Sequence, residues 1–112
     1  MSERVRGCFS QTASGHTSYE IFEASSGVIE PVCRLLVDVF SFSPPDDMSV
    51  GVDVFVCTCR KDGVKLAIGW DTWSGFFISA QSDLGDALVR QIGLYLDTVI
   101  HQEAFEKYIR VS

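Results

Sequence analysis

Between residues 52 and 80 the sequence holds three short runs of alternating side chains separated by tight-turn signals. That pattern leaves room for little besides an antiparallel meander. In the first run Val52, Val54, Val56 and Thr58 alternate with Asp53, Phe55, Cys57 and Cys59. Arg60-Lys61-Asp62-Gly63 follows, with the Asp-Gly pair that favours a hairpin turn. In the second run Val64, Leu66, Ile68 and Trp70 alternate with Lys65, Ala67, Gly69 and Asp71. The chain turns again over residues 71–74, and residues 75–80 form the third run. Val52, Val54, Val56, Leu66, Ile68, Trp70, Phe76 and Ile78 make a large apolar face that is expected to receive helices. The opposite face is expected to carry Cys57, Cys59, Ala67, Gly69 and Ser79, with Phe55 and Phe77. It is small but not polar, so the N-terminal segment or a second chain is expected to cover it.

Two helices flank the meander. Val28, Ile29, Val32, Leu35, Leu36, Val39 and Phe40 form one stripe at the helical period. Ser25 or Ser26 can cap this helix, and Pro31 falls in the first turn, where its missing N–H costs little. Residues 43–47, Ser-Pro-Pro-Asp-Asp, end it in a rigid acidic loop. The second helix is expected to begin near Ser82 or Asp83, with Asp83 and Asp86 at the positive end of the helix dipole. Leu84, Leu88, Ile92, Tyr95 and Val99 make its stripe. Phe105, Tyr108 and Ile109 are spaced for a short last helix. Upstream, residues 5–10 and 17–24 read as strands around a polar loop. The expected fold is therefore α+β, a single domain over residues 1–112. It has an antiparallel sheet of three to five strands with two main helices packed on one face, in the order (β)βαβββα(α).

A chain of 112 residues, 46% hydrophobic, is long enough for one packed core. Its net charge of -6 disfavours nucleic acid, whose phosphates repel such a surface. Residues 11–59 hold Glu20, Glu23, Glu30, Asp38, Asp46, Asp47 and Asp53 against Arg34 alone, which accounts for the whole net charge. A one-sided field of this kind steers a basic protein partner. The same acids also serve as a solvated face that keeps a protein in solution. No apolar run approaches the roughly 18–20 residues of a membrane span, and residues 1–7 do not resemble a secretory leader. The expectation is a cytoplasmic protein without a membrane partner, its four cysteines reduced.

Few residues suggest chemistry. Cys57 and Cys59 share one side of a strand and could grip a soft metal ion. A structural zinc site takes four ligands, however, and Cys8, Cys33, His16 and His101 are all distant in sequence. A cysteine or serine nucleophile needs a base in reach, and nothing in the sequence brings either histidine to a thiol. No nucleophile elbow and no phosphate-cradling loop occurs. Neither a catalytic set, a metal nor a cofactor is expected.

The densest segment is Trp70-Asp71-Thr72-Trp73-Ser74-Gly75-Phe76-Phe77. Trp70 fits the apolar face of its strand, Asp71 suits an Asx-turn, and Trp73 falls in the turn outside the alternation. Turns lie at the surface, and an exposed tryptophan beside an acid is a good interface anchor. The stretch Gly63-Val64-Lys65-Leu66-Ala67-Ile68-Gly69-Trp70-Asp71-x-Trp73-Ser74-Gly75-Phe76-Phe77-Ile78-x-Ala80 leads to a capped helix that ends in Ile92-Gly93-x-Tyr95-Leu96. Over residues 63–97 this resembles the C-terminal half of small immunity proteins that accompany bacterial polymorphic and contact-dependent toxins. The resemblance implies a non-enzymatic, cytosolic inhibitor that binds one toxin domain, often a basic nuclease masked by an acidic surface. The residues expected to bind a partner are Asp46, Asp47, Asp53, Asp71 and Trp73. Two rival expectations stand beside this one. The first is a homo-oligomeric structural or accessory protein, such as a homodimer, that uses the small-residue face of Cys57, Ala67, Gly69 and Ser79. The second is a cysteine-dependent activity using Cys57 or Cys59 with a histidine.

Overall fold

The computed structural model describes residues 7–46, 49–51, 54–100, 102, 105 and 107–109. Its elements are β1 (Cys8–Gln11), β2 (Thr17–Ile21), a 3-10 turn (Ser26–Val28), α1 (Ile29–Phe40), β3 (Ser49–Val50), β4 (Val54–Lys61), β5 (Val64–Asp71), β6 (Gly75–Ala80) and α2 (Asp83–Val99). The fold is α+β, as expected. The strands form one antiparallel sheet in the order β1-β2-β6-β5-β4-β3, in which β3 is a two-residue addition at the edge. Both helices cover the same face. The first strand begins later than expected, and residue 5 lies outside the described residues.

The β4–β5 hairpin sets the phase of the core. Asp62 and Gly63 both take positive φ, 50° and 81°, which is the two-residue type I′ turn favoured by Asp-Gly. Lys61 therefore pairs with Val64, Cys59 with Leu66, Cys57 with Ile68 and Phe55 with Trp70. Cross-strand partners share a face, so Cys57, Cys59 and Phe55 point toward the helices. Val54 and Val56 point to the uncovered face, opposite Asp71 and Gly69. This corrects the expected faces of β4. Val52 lies outside the described residues.

The remaining phases agree with the sequence reading. Leu66 pairs with Ala80, Ile68 with Ile78 and Trp70 with Phe76, all on the helix-covered face. Tyr19 and Ile21 of β2 join them opposite Ile78 and Phe76. The fully buried core comprises Tyr19, Ile21, Leu66, Ile68, Phe76 and Ile78 from the sheet, with Val28, Val32, Leu36, Ile92, Leu96 and Ile100 above them.

Helix α1 buries Ile29, Val32, Cys33 and Leu36, and Pro31 sits in its first turn. Val39, expected in the stripe, is half exposed. Ser41 ends the helix in the left-handed conformation at φ 62°. The following segment lies along the outer edge of β4, where Ser43 N–H donates to the Arg60 carbonyl and Asp46 N–H to that of Thr58.

Ser82 caps α2, its hydroxyl accepting the Gly85 N–H at 3.2 Å. The buried side of α2 is Gly85, Val89, Ile92, Gly93, Leu96 and Val99. Leu84, expected in the stripe, is 72% exposed, and Tyr95 lies at the margin, edge-on to Phe40 of α1. Two glycines rotate the helix this way. At Gly93 a Cβ would stand only 2.6 Å from Phe9 Cζ and Tyr19 Cδ1, so the helix settles on its glycine side, where it can approach closest. In the tail, Phe105 and Ile109 are buried, and Ile109 makes an antiparallel bridge to Ala24. The described tail residues wind through i→i−3 turns. No helix among the described residues is long and apolar enough to cross a membrane.

Candidate functional site

The expected partner-binding residues separate into two regions. Asp71 closes β5, and its Oδ1 accepts the N–H groups of Trp73 at 2.9 Å and Ser74 at 2.5 Å. This Asx-turn, completed by Gly75 at φ 67°, fixes the three-residue loop. Trp73 stands out from it at 78% exposure, the most exposed large hydrophobic side chain among the described residues. Trp70 is different. Its indole N–H donates to the Ala24 carbonyl at 2.8 Å, and its ring packs on the core beside Phe55.

A second exposed aromatic lies at the same end of the sheet. Ile21 pairs with Phe76, so the chain leaving β2 passes the start of β6. A Cβ on Gly75 would run into the carbonyls of Ile21 and Phe22. Phe22, 55% exposed, therefore lies beside the turn that carries Trp73. Phe22, Glu23, Trp70 and Asp71 border a cavity of about 390 Å³. Phe22 was missed in the sequence reading, although its position next to Ile21, out of the period-two phase, is the signal that turns it outward.

Asp46 lies elsewhere. Its backbone is tied to Thr58, and its carboxylate accepts from Arg60 at 2.6 Å. Asp71 pairs with Val54, so Asp46 is displaced along β4 by the stretch from Val54 to Thr58. At ~3.4 Å per residue that is on the order of 13 Å. Asp47 and Asp53 lie outside the described residues. The fold thus brings Asp71 and Trp73 together and places Asp46 apart from them.

Asp46 instead borders a cavity of about 510 Å³ between α1 and the edge segment. Its walls are mostly apolar and include Ile29, Val37, Pro45, Cys33 and Cys57, with the charged residues Glu30, Arg34, Asp38 and Asp46; Arg34 pairs with Glu30 and Arg60 with Asp46. Cys33 Sγ lies 4.0 Å from Cys57 Sγ. Hydrogen bonds from Cys33 and then Cys59 favour negative charge on Cys57, against burial and the nearby Asp46. Cys33, bonded to Cys57 and Cys59 and buried, is pushed far above the ordinary thiol range. Cys57 and Cys59 are buried beneath the helices and are not on the uncovered face, so the homodimer surface loses Cys57. What remains on that face includes Val54, Val56, Ala67, Phe77 and Ser79, all partly exposed.

Of the two histidines, His101 lies outside the described residues. His16 Nδ1 is 3.3 Å from Asp86 Oδ2, and Asp86 Oδ1 accepts the Thr17 N–H at 2.8 Å. His16, Asp83 and Asp86 lie close enough to one another to suggest a cation site. Both Asp86 oxygens are already engaged, however, and the positive end of α2 opposes a cation there. The arrangement works as a clasp between β2 and α2.

Comparison with known proteins adds no assignment: no protein family, curated protein or solved structure matches the chain.

Proposed function

We propose that the chain is a non-enzymatic protein-binding module, and specifically an immunity protein that neutralises a cognate bacterial toxin domain in the cytoplasm. The observation that carries this reading is Trp73, 78% exposed on a turn held by two hydrogen bonds to Asp71. A large apolar side chain held in water on a rigid turn loses little conformational freedom on binding, which is what an interface anchor requires. Phe22 extends the apolar area, and Glu23 and Asp71 give its border a negative charge suited to a basic partner. The resemblance of residues 63–97 to immunity proteins supplies the finer identity.

The test is co-expression with a toxin domain encoded beside this chain. The wild type is expected to rescue growth and to co-purify with the toxin, and Trp73→Ala to lose both while keeping its fold. A neighbourhood without a toxin gene, or rescue undiminished by Trp73→Ala and Phe22→Ala together, overturns the reading.

A homodimer through the uncovered sheet face is the second reading, favoured by Val54, Val56 and Phe77 on that face. Light scattering separates the two, because a monomer at high concentration excludes the dimer and leaves the first reading standing.

A further inference from the structure

Cys33 on α1 and Cys57 on β4 are 24 positions apart in the chain, yet their sulfurs stand 4.0 Å from each other. Helix α1 turns Cys33 to its buried side, and the β4 register turns Cys57 inward beneath the helices. A disulfide holds its sulfurs about 2.0 Å apart, so closing this contact takes roughly 1 Å of travel from each one.

Access separates the pair from the other two cysteines. Cys33 and Cys57 keep 7% and 5% exposure and line the cavity of about 510 Å³ between α1 and the edge segment. Cys59, at 1%, is not among the walls of that cavity. Cys8 is on β1, with three strands between it and β4. The charges around the cavity are largely paired, Arg34 with Glu30 at 2.8 Å and Arg60 with Asp46 at 2.6 Å, and the remaining walls are mostly apolar. Such a cleft suits a small neutral oxidant, which gives up no ionic hydration on entry. The hydrogen bond from Cys33 favours negative charge on Cys57, against burial. A thiolate is the form of cysteine that attacks a peroxide.

We propose that Cys33 and Cys57 are a modification site, a dithiol that hydrogen peroxide converts to an intramolecular disulfide joining α1 to β4. The Cys57 sulfur attacks one peroxide oxygen and the O–O bond breaks. The departing hydroxide takes the proton that the Cys57 thiol gave up and leaves as water, and Cys57 becomes a sulfenic acid. The Cys33 sulfur then attacks the Cys57 sulfur and the S–O bond breaks. That hydroxide takes the Cys33 proton and leaves as a second water. The two sulfurs together lose two electrons, and the peroxide gains them. A thiol or dithiol reductant reverses the modification by exchange.

The test uses the full chain with Cys8→Ser, which removes the exposed thiol and leaves three. The folded protein is treated with a small molar excess of hydrogen peroxide, quenched, unfolded and alkylated. Two of the three thiols are expected to be lost and the intact mass to fall by two hydrogens. Peptide mapping is expected to find Cys33 linked to Cys57, and dithiothreitol to restore both thiols. Adding Cys59→Ser is expected to leave the link in place. Adding Cys33→Ser is expected to stop the reaction at the Cys57 sulfenic acid, which dimedone labels. Three thiols surviving in the Cys8→Ser protein would show that the pair is core filling and overturn the site. A link to Cys59, or oxidation of Cys57 without any link, overturns it equally. Should the further serine variants fail to fold, the peptide map of the Cys8→Ser protein decides.

Discussion

Tyr19 on β2 and Asp97 on α2 are joined by a 2.6 Å hydrogen bond from the phenol to carboxylate Oδ1. The same oxygen accepts the Gly7 N–H at 2.9 Å, so one acid ties the N-terminal segment, the sheet and the helix together. Tyr19 is fully buried. Burial, and then the Asp97 bond, push its hydroxyl far above the ordinary phenol range, so it remains a donor. Tyr19→Phe removes one bond to a charged acceptor and should cost about 1.5–3 kcal/mol. Asp97→Ala strands two donors and should cost more. The urea midpoints of the two variants, with m unchanged, check the ranking.

The Tyr19 ring also predicts an unusual sign for a glycine substitution. Alanine is favoured over glycine inside a helix by about 1 kcal/mol. At Gly93, however, a Cβ would meet Tyr19 Cδ1 and Phe9 Cζ at 2.6 Å. Both rings are held, Tyr19 by Asp97 and Phe9 against Tyr19 at 5.3 Å between centroids. Overpacking of this kind costs about 1–3 kcal/mol. Gly93→Ala should therefore lower the melting temperature, and a rise would show that the rings have room to move.

Strand content and turn positions were legible in the sequence because period-two alternation and Asp62-Gly63 are local signals. The face of β4 was not legible from alternation alone. A two-residue turn pairs Lys61 with Val64, which sets odd residues of β4 against even residues of β5. Counting from that turn would have put Cys57 opposite Ile68. Trp73 was legible because it breaks the alternation inside a turn. The separation of Asp46 from Trp73, and the arrival of Cys33 beside Cys57, depend on strand order and helix placement, which no local signal carries. A paired substitution checks the register. Val56→Lys, on the uncovered face, should cost about 1 kcal/mol or less. Cys57→Lys would bury an unpaired charge and should cost about 3 kcal/mol or more. Equal costs would contradict the pairing.

Asp86 predicts the acid limb of stability. The Thr17 N–H bond, and then His16, hold its carboxyl below the ordinary value. A group whose folded value is depressed stabilises the fold above its unfolded value, about 3.9 for an aspartate, and loses that contribution as pH falls through the folded value. Stability measured by urea should therefore drop below about pH 4 in the wild type. Asp86→Asn should be less stable at neutral pH and flatter across that acid range. Parallel profiles for the two proteins would exclude Asp86 from acid unfolding.

Asp71 and Trp73 separate presentation from contact. Trp73 touches little of the core, so Trp73→Ala should leave stability within about 0.5 kcal/mol. Loss of an anchor side chain should nonetheless cost about 2 kcal/mol or more in binding, roughly 30-fold in Kd. Asp71→Asn keeps the side-chain oxygen that accepts from Trp73 and Ser74, so the turn should persist. Only the charge is lost, and the salt dependence of the association rate with a basic partner should decline. Asp71→Ala removes the acceptor as well, freeing two turn N–H groups, and should weaken binding through a looser Trp73 even in high salt, where charge steering is screened. Surface plasmon resonance across a salt series distinguishes the two. If Asp71→Ala and Asp71→Asn behave alike at every salt concentration, the turn geometry does not matter to the interface and only the charge does.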